Sequence, residues 1–195
     1  QKAYGMFAEQ LKKSATVRAC IFGTIHNEAT LILMDLLEEA GLHTMVGKVN
    51  MDRNSPDYLC EPSAEASAQA TREWLKAVAD RKYKHTRPIL TPRFTPSCTD
   101  ELMELLKEIQ TETHLPMQSH LSENPGEIAW VKELCPWSEF YGDAYDKFGL
   151  FGGDCPTVMA HCVYSGKEEM ALMKEKGVFV AHCPESNTNL SSGVA

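Results

Sequence analysis

Short apolar runs in this chain end, at their carboxyl ends, in side chains that can bind a metal or move a proton. Side chains on an extended chain alternate faces, so residues two apart point the same way. On that rule Ile89, Thr91 and Arg93 share a face, Gln118 and His120 share one in the next run, and Met159 and His161 in the run after. Val178, Val180 and His182 form the last such series. A single histidine of this kind is most simply a core residue bonded to backbone. Polar tips in register at one end of a parallel sheet are another matter, because buried polar groups cost several kcal/mol unless paired or holding a ligand. The ring is expected to be a site.

The residue types narrow its chemistry. Imidazole is the commonest protein metal ligand, and zinc takes histidine nitrogen and carboxylate oxygen in catalytic sites that keep a position open. Glu123 stands just past His120, in His-Leu-Ser-Glu. From there a carboxylate can curl over a strand-end ligand, take a proton from activated water and pass it to a leaving group. The plain alternative is a glutamate at a helix start, which Asn124-Pro125 immediately after also suits.

What positions these tips is an alternation of strand-length apolar runs and amphipathic stretches. The strand candidates are Arg18–His26, His43–Val49, Pro88–Phe94, Pro116–Ser122, Thr157–Val163 and Val178–Pro184. Helical patterns cover Glu28–Ala40, Ser63–Asp80, the stretch from Thr99 to about Thr111, Glu127–Leu134 and Lys167–Lys176. Strands separated by helical crossovers make repeated βα units and a parallel sheet buried on both faces. No G-x-G-x-x-G follows a strand and no P-loop occurs, which disfavours a Rossmann sheet. The expected fold is α/β, a partial TIM-like (β/α)8 barrel of about six parallel strands with outer helices. One domain is expected over residues 1–195. Asn50–Pro62 and Cys135–Pro156 read as long loops, the second carrying a short helix with Tyr141 and Tyr145, and the tail Glu185–Gly193 reads as a loop.

Composition excludes several classes. With 195 residues, 43% hydrophobic and 24% charged, the chain can bury a core. Its 19 basic against 27 acidic residues, net charge −8, offer no basic face for nucleic acid, and Arg81–Arg87 reads as a solvated helix end. No apolar run is long enough for a membrane span, and no secretory signal is visible. The 7 cysteines lack any CxxC pair, which suits a reducing cytosol.

The segments Leu90-Thr91-Pro92-Arg93-Phe94, Gln118-Ser119-His120-Leu121-Ser122-Glu123-Asn124, Val158-Met159-Ala160-His161-Cys162 and Ala181-His182-Cys183-Pro184-Glu185-Ser186-Asn187 resemble the amidohydrolase superfamily, and within it the guanine deaminase family. Val46-Gly47-Lys48-Val49 with Met51-Asp52, and Leu190-Ser191-Ser192-Gly193, fit the same family. The likeness runs from about Arg18 to the end. His-x-x-Glu is shared by many relatives, whereas Thr-Pro-Arg-Phe is closer to guanine deaminases. The resemblance implies a zinc-dependent barrel enzyme hydrolysing guanine to xanthine and ammonia in purine catabolism. It implies a cytosolic homodimer at full length, one zinc per subunit, a small purine as partner, and neither nucleic acid nor membrane. By the same resemblance His120 is the zinc ligand, also touching substrate, and Glu123 is the proton shuttle against the substrate. His161 orients the reacting water or substrate, and Arg93 and Phe94 are substrate contacts. A guanidinium fork suits the acceptor edge of guanine and an aromatic face suits a flat purine. Strict alternation points Phe94 away from Arg93, so the backbone is expected to turn out of the strand there. His182, with Asn187 nearby, is similar to the seventh-strand loop of the family and is equally well a structural residue.

The superfamily's first-strand His-x-His and eighth-strand Asp do not occur as such. Thr24-Ile25-His26-Asn27-Glu28 lacks the second histidine and falls on what the motifs make the second strand. With Gln at position 1, the expectation is a fragment lacking the first and last barrel strands, which alone holds zinc poorly and turns over little or nothing. Other readings stay open. His26-x-Glu28 has a counterpart in the zinc deaminases of cytidine and single-stranded nucleic acid, but the P-C-x-x-C they need is missing. A sister amidohydrolase acting on adenosine, cytosine or a chlorinated ring is set apart by Arg93-Phe94. A barrel scaffold that has lost catalysis is set apart by the retention of His120, Glu123 and His161.

Overall fold

The apolar runs become strands, and most of them stop earlier than the hydrophobicity does. The computed structural model describes residues 1–194. Helix α1 (Lys2–Lys13) precedes strand β1 (Arg18–Phe22), helix α2 (Asn27–Glu39) and strands β2 (His43–Gly47) and β3 (Val49–Asn50). Helix α3 (Ala64–Arg81) leads to β4 (Thr86–Pro88) and β5 (Thr91–Pro92), and α4 (Asp100–Thr113) to β6 (Met117–Leu121). Then come α5 (Pro125–Leu134), α6 (Asp143–Asp146), β7 (Thr157–His161), α7 (Lys167–Lys176), β8 (Phe179–Ala181) and α8 (Pro184–Asn189).

Every ladder is parallel. β1 pairs with β2, β2 with β4, β3 with β5, and β6 with β7 and then β8. A single bridge between Leu90 and Met117 joins the two halves. Neighbours in space are thus neighbours in sequence, each reached through a helix, as in a partial barrel. The expected strand Pro88–Phe94 is broken because Pro88 and Pro92 have no N–H to give a ladder. Two expectations need correction. The N-terminal residues, assigned no element from sequence, form α1, and the tail read as a loop contains α8, whose Pro184 sits at a first helical turn where no N–H is needed.

Local chemistry starts and stops the crossovers. Ser63 accepts the Ala66 N–H and opens α3, Thr99 accepts the Leu102 N–H and opens α4, and Asn124 accepts the Glu127 N–H and opens α5. The helices bury one stripe each. Leu102, Leu106 and Ile109 of α4 join Leu121, Val131, Tyr145 and Met159 in one core, and Leu33, Met34 and Leu37 of α2 join Val46, Trp74 and Val78 in another. Between β2 and β3, Lys48 is fully buried and ion-paired to Glu61, whose other oxygen accepts from Ser67. No helix among the described residues is long and apolar enough to cross a membrane.

Gly47 is where the sheet tolerates no side chain. A Cβ there would lie 1.6 Å from Thr91 Oγ1 and 2.7 Å from the Ile89 carbonyl oxygen. Gly47→Ala should therefore destabilise the fold by about 3 kcal/mol through overpacking. A melting temperature unchanged from wild type in a thermal scan would contradict this reading.

Candidate functional site

Strand register decides which tips meet. Partners in a parallel ladder share a face, and a shift of one residue reverses every side chain. Gln118 marks the inside of the sheet: its Nε2 donates to Thr91 Oγ1 at 3.0 Å and to the Ile21 carbonyl at 3.0 Å. Two residues further on, Arg93 and His120 lie on that same inward face. Met117, Leu121 and Met159 instead sit in the core beneath the helices. Because Leu121 pairs with His161 and Met159 with Val180, His161 and His182 belong to the outward series.

His161 is turned back by its backbone. Its φ is 74°, followed by 52° at Cys162, both in the left-handed region that side-chain-bearing residues seldom enter. The Cys162 N–H on the Leu121 carbonyl (2.9 Å) holds this turn, and the imidazole swings over to stack on His120, centroids 5.4 Å and planes 19° apart. His182 has no such turn. It is exposed and lies outside the pocket that the other tips line, which corrects the expectation that all the strand-end histidines converge with Arg93.

The pocket, about 230 Å³, is lined by Arg93, Phe94, His120, Glu123, Glu127 and His161 together with Ser186 and Leu190 of the α8 region. The backbone leaves the ladder after Pro92, so Arg93 and Phe94 both face it, and the guanidinium carbon stands 4.9 Å above the Phe94 ring. Thr95–Ser97 makes the 3₁₀ turn that follows. Trp130 meets Phe94 edge-on with centroids 6.0 Å apart. Across Arg93 and His120 lies a second, more apolar cavity of about 560 Å³, walled by Phe22, Ile25, Val49 and Met51.

Proton placement follows from the partners. His120 Nδ1 lies 2.7 Å from the Arg93 carbonyl, which can only accept, so Nδ1 carries the proton and Nε2 is left with a lone pair. Burial pulls the His120 pKa below the ordinary histidine range and keeps the ring neutral. His161 Nδ1 donates in the same way to Asn187 Oδ1 at 2.8 Å, with Glu123 Oε1 at 3.6 Å. Ser192 donates to Glu123 Oε1 at 3.1 Å. A neutral imidazole fixed through Nδ1 is how metal-ligating histidines are held. The donor set is nevertheless short of a complete one: among the described residues no group of three or more His, Cys, Asp and Glu side chains is gathered to hold a metal.

Glu127 was not anticipated as part of the site. The signal available was its place three residues after the Asn124 cap, which reads equally as a capping box. Its Oε1 is buried without a partner, and burial pushes its pKa up to about 7. A carboxyl with a folded pKa above its unfolded value of 4.5 costs stability progressively as pH rises between the two. Glu127→Gln should accordingly raise the melting temperature at pH 8 and leave it nearly unchanged at pH 5. Equal shifts at both pH values would rule the buried charge out.

The chain belongs to the amidohydrolase family, whose family model matches residues 7–195. Within it, the likeness is to enzymes that act on guanine. The guanine deaminase of Mus musculus is 41% identical over 100% of this chain. A crystal structure of guanine deaminase from C. acetobutylicum with bound guanine in the active site covers 98% of the chain at 49% identity with a TM-score of 0.94. An adenosine deaminase from Xanthomonas campestris solved with bound zinc covers 98% at 21% identity and TM-score 0.79, a likeness of fold alone. The chain spans 42% of the mouse enzyme and 45% of the C. acetobutylicum chain.

Proposed function

We propose that this segment is part of a zinc-dependent enzyme that hydrolyses guanine to xanthine and ammonia. The observation that carries the reading is the pocket in which Arg93, Phe94, His120, Glu123 and His161 meet, in a chain similar over its whole length to guanine deaminases. Its parallel strands would make six staves of an eight-stave barrel, with residues 1–195 one stretch of that domain. The remaining zinc ligands would come from the other staves, consistent with the relatives' greater length.

In this reading His120 would hold the zinc through Nε2, its other nitrogen being tied to the Arg93 carbonyl. Zinc, when bound, supplies Lewis-acid chemistry that makes water nucleophilic at neutral pH. The guanidinium of Arg93 grips the acceptor edge of the purine, and Phe94 gives it a flat apolar face. Attack of water at the amino-bearing carbon forms a C–O bond and breaks the C–N bond. Glu123 takes a proton from the water and delivers it to the departing amino group, which leaves as ammonia, while the other proton stays on the ring. His161, held by Asn187, orients the reacting water or substrate. Glu123 and His161 are thus the proposed catalytic groups.

The partner is a small purine, and the setting proposed is the cytosol, with two subunits per assembly. Incubating a polypeptide of the relatives' full length that carries this segment with guanine should release ammonia stoichiometrically with xanthine, with about one zinc per subunit by metal analysis. Ammonia from adenosine or cytosine but not guanine would favour a sister amidohydrolase. Neither zinc nor turnover would favour the scaffold.

A further inference from the structure

We propose that Tyr145 is a positioning residue whose hydroxyl clamps the Arg93–Thr95 turn to the Ser119–His120 end of β6. The inference rests on the reading of His120 as a zinc ligand and Arg93 as a substrate contact, and it concerns a residue outside the pocket. Tyr145 comes from α6, in the long connection between β6 and β7, and is fully buried. Its ring lies nearly parallel to those of Tyr141 and Phe151, with centroids 5.7 and 6.3 Å away, which fixes where the hydroxyl ends.

That hydroxyl meets both halves of the site from behind. It donates to the His120 carbonyl at 2.8 Å and accepts the Thr95 N–H at 3.2 Å. It also lies 2.9 Å from Ser119 Oγ, which donates in turn to the Pro92 carbonyl at 2.7 Å. A phenol is protonated at neutral pH, so the hydroxyl has a proton to donate. The aromatic cluster here reads from sequence as a short helix packed on the sheet. The structure gives that packing a second use. A strand end and a turn that share little ladder with each other are tied through an oxygen belonging to neither, and the His120 imidazole and the Arg93 side chain rise from those two tied segments. Preorganisation of this kind keeps reacting groups within the narrow tolerance catalysis needs.

The test is Tyr145→Phe in the full-length protein, which removes the oxygen and keeps the stacked ring. Zinc affinity is read by competition with a chromophoric chelator, guanine kcat/KM by ammonia release, and folding by a thermal scan. Loss of an interaction that supports a ligand is expected to lower zinc affinity, kcat/KM or both by about 10- to 100-fold. Tyr83→Phe, which removes a hydroxyl bonded to Asp35 of α2 and to neither segment, should leave both at wild type. A loss of about threefold or more in either quantity, relative to Tyr83→Phe, supports the clamp, and smaller changes in both overturn it even if the melting temperature drops. If Tyr145→Phe does not fold, Ser119→Ala decides on the same thresholds. Should the wild type bind zinc yet ignore guanine, the guanine reading fails while the zinc ratio still judges the clamp; a wild type with neither property removes both.

Discussion

Glu123→Gln in the full-length protein should lower kcat for guanine by about 10²- to 10⁴-fold while leaving KM within a few-fold, the range that a positioned proton-transfer group supplies. Glutamine keeps the size of the side chain and an oxygen to accept from Ser192, so the local structure survives. What it loses is the ability to take a proton and return it. The carboxylate sits at the pocket wall within 3.6 Å of His161 Nδ1, close enough for the two side chains to act on the same water. Steady-state kinetics with guanine decide the matter. A kcat within twofold of wild type would leave Glu123 as no more than a residue next to a helix start.

Arg93→Ala should cost kcat/KM for guanine about 10²-fold, since a bidentate guanidinium contact to guanine is worth roughly 1–3 kcal/mol. The side chain is free for this work. Among the described residues it has no carboxylate partner, and its recorded neighbours are the Phe94 ring and Met51 Sδ at 3.9 Å. Arg93→Lys should recover little, because a point charge cannot replace a planar fork over an aromatic face. The loss should fall mainly on substrates offering the same acceptor edge. If ring substrates lacking that edge lost as much as guanine, Arg93 would be a structural residue and the purine assignment would lack its recognition element.

Both residues were legible in the sequence, and for a physical reason. Arg93 and His120 sit two residues beyond Thr91 and Gln118, and the contact between those two, 3.0 Å across the inside of the sheet, sets the phase that alternation alone assumes. Glu123 follows by chain proximity. The order of strands and crossovers was equally readable, because an apolar run and an amphipathic stripe are local patterns, and helix starts such as Ser63 and Thr99 carry their caps in the next few residues.

What the sequence could not carry was the phase of one strand relative to its neighbour. Alternation within Thr157–His161 groups Met159 with His161 correctly, yet the register with β6 puts that group outward. Only the left-handed backbone at His161 and Cys162 brings the imidazole back, and the sign of a φ angle is set by the contacts that hold it. His182, in the same outward phase without that reversal, stays in solvent. Tyr145 and Glu127 were hidden for a related reason. Their partners lie on other elements, and residues far apart along the chain meet only once the parallel ladders have closed their register. The amino-acid order thus determined which elements form and which chemistry is available at their ends. Tertiary packing decided which of those ends face one another, because side-chain direction depends on neighbouring strands rather than on the strand itself.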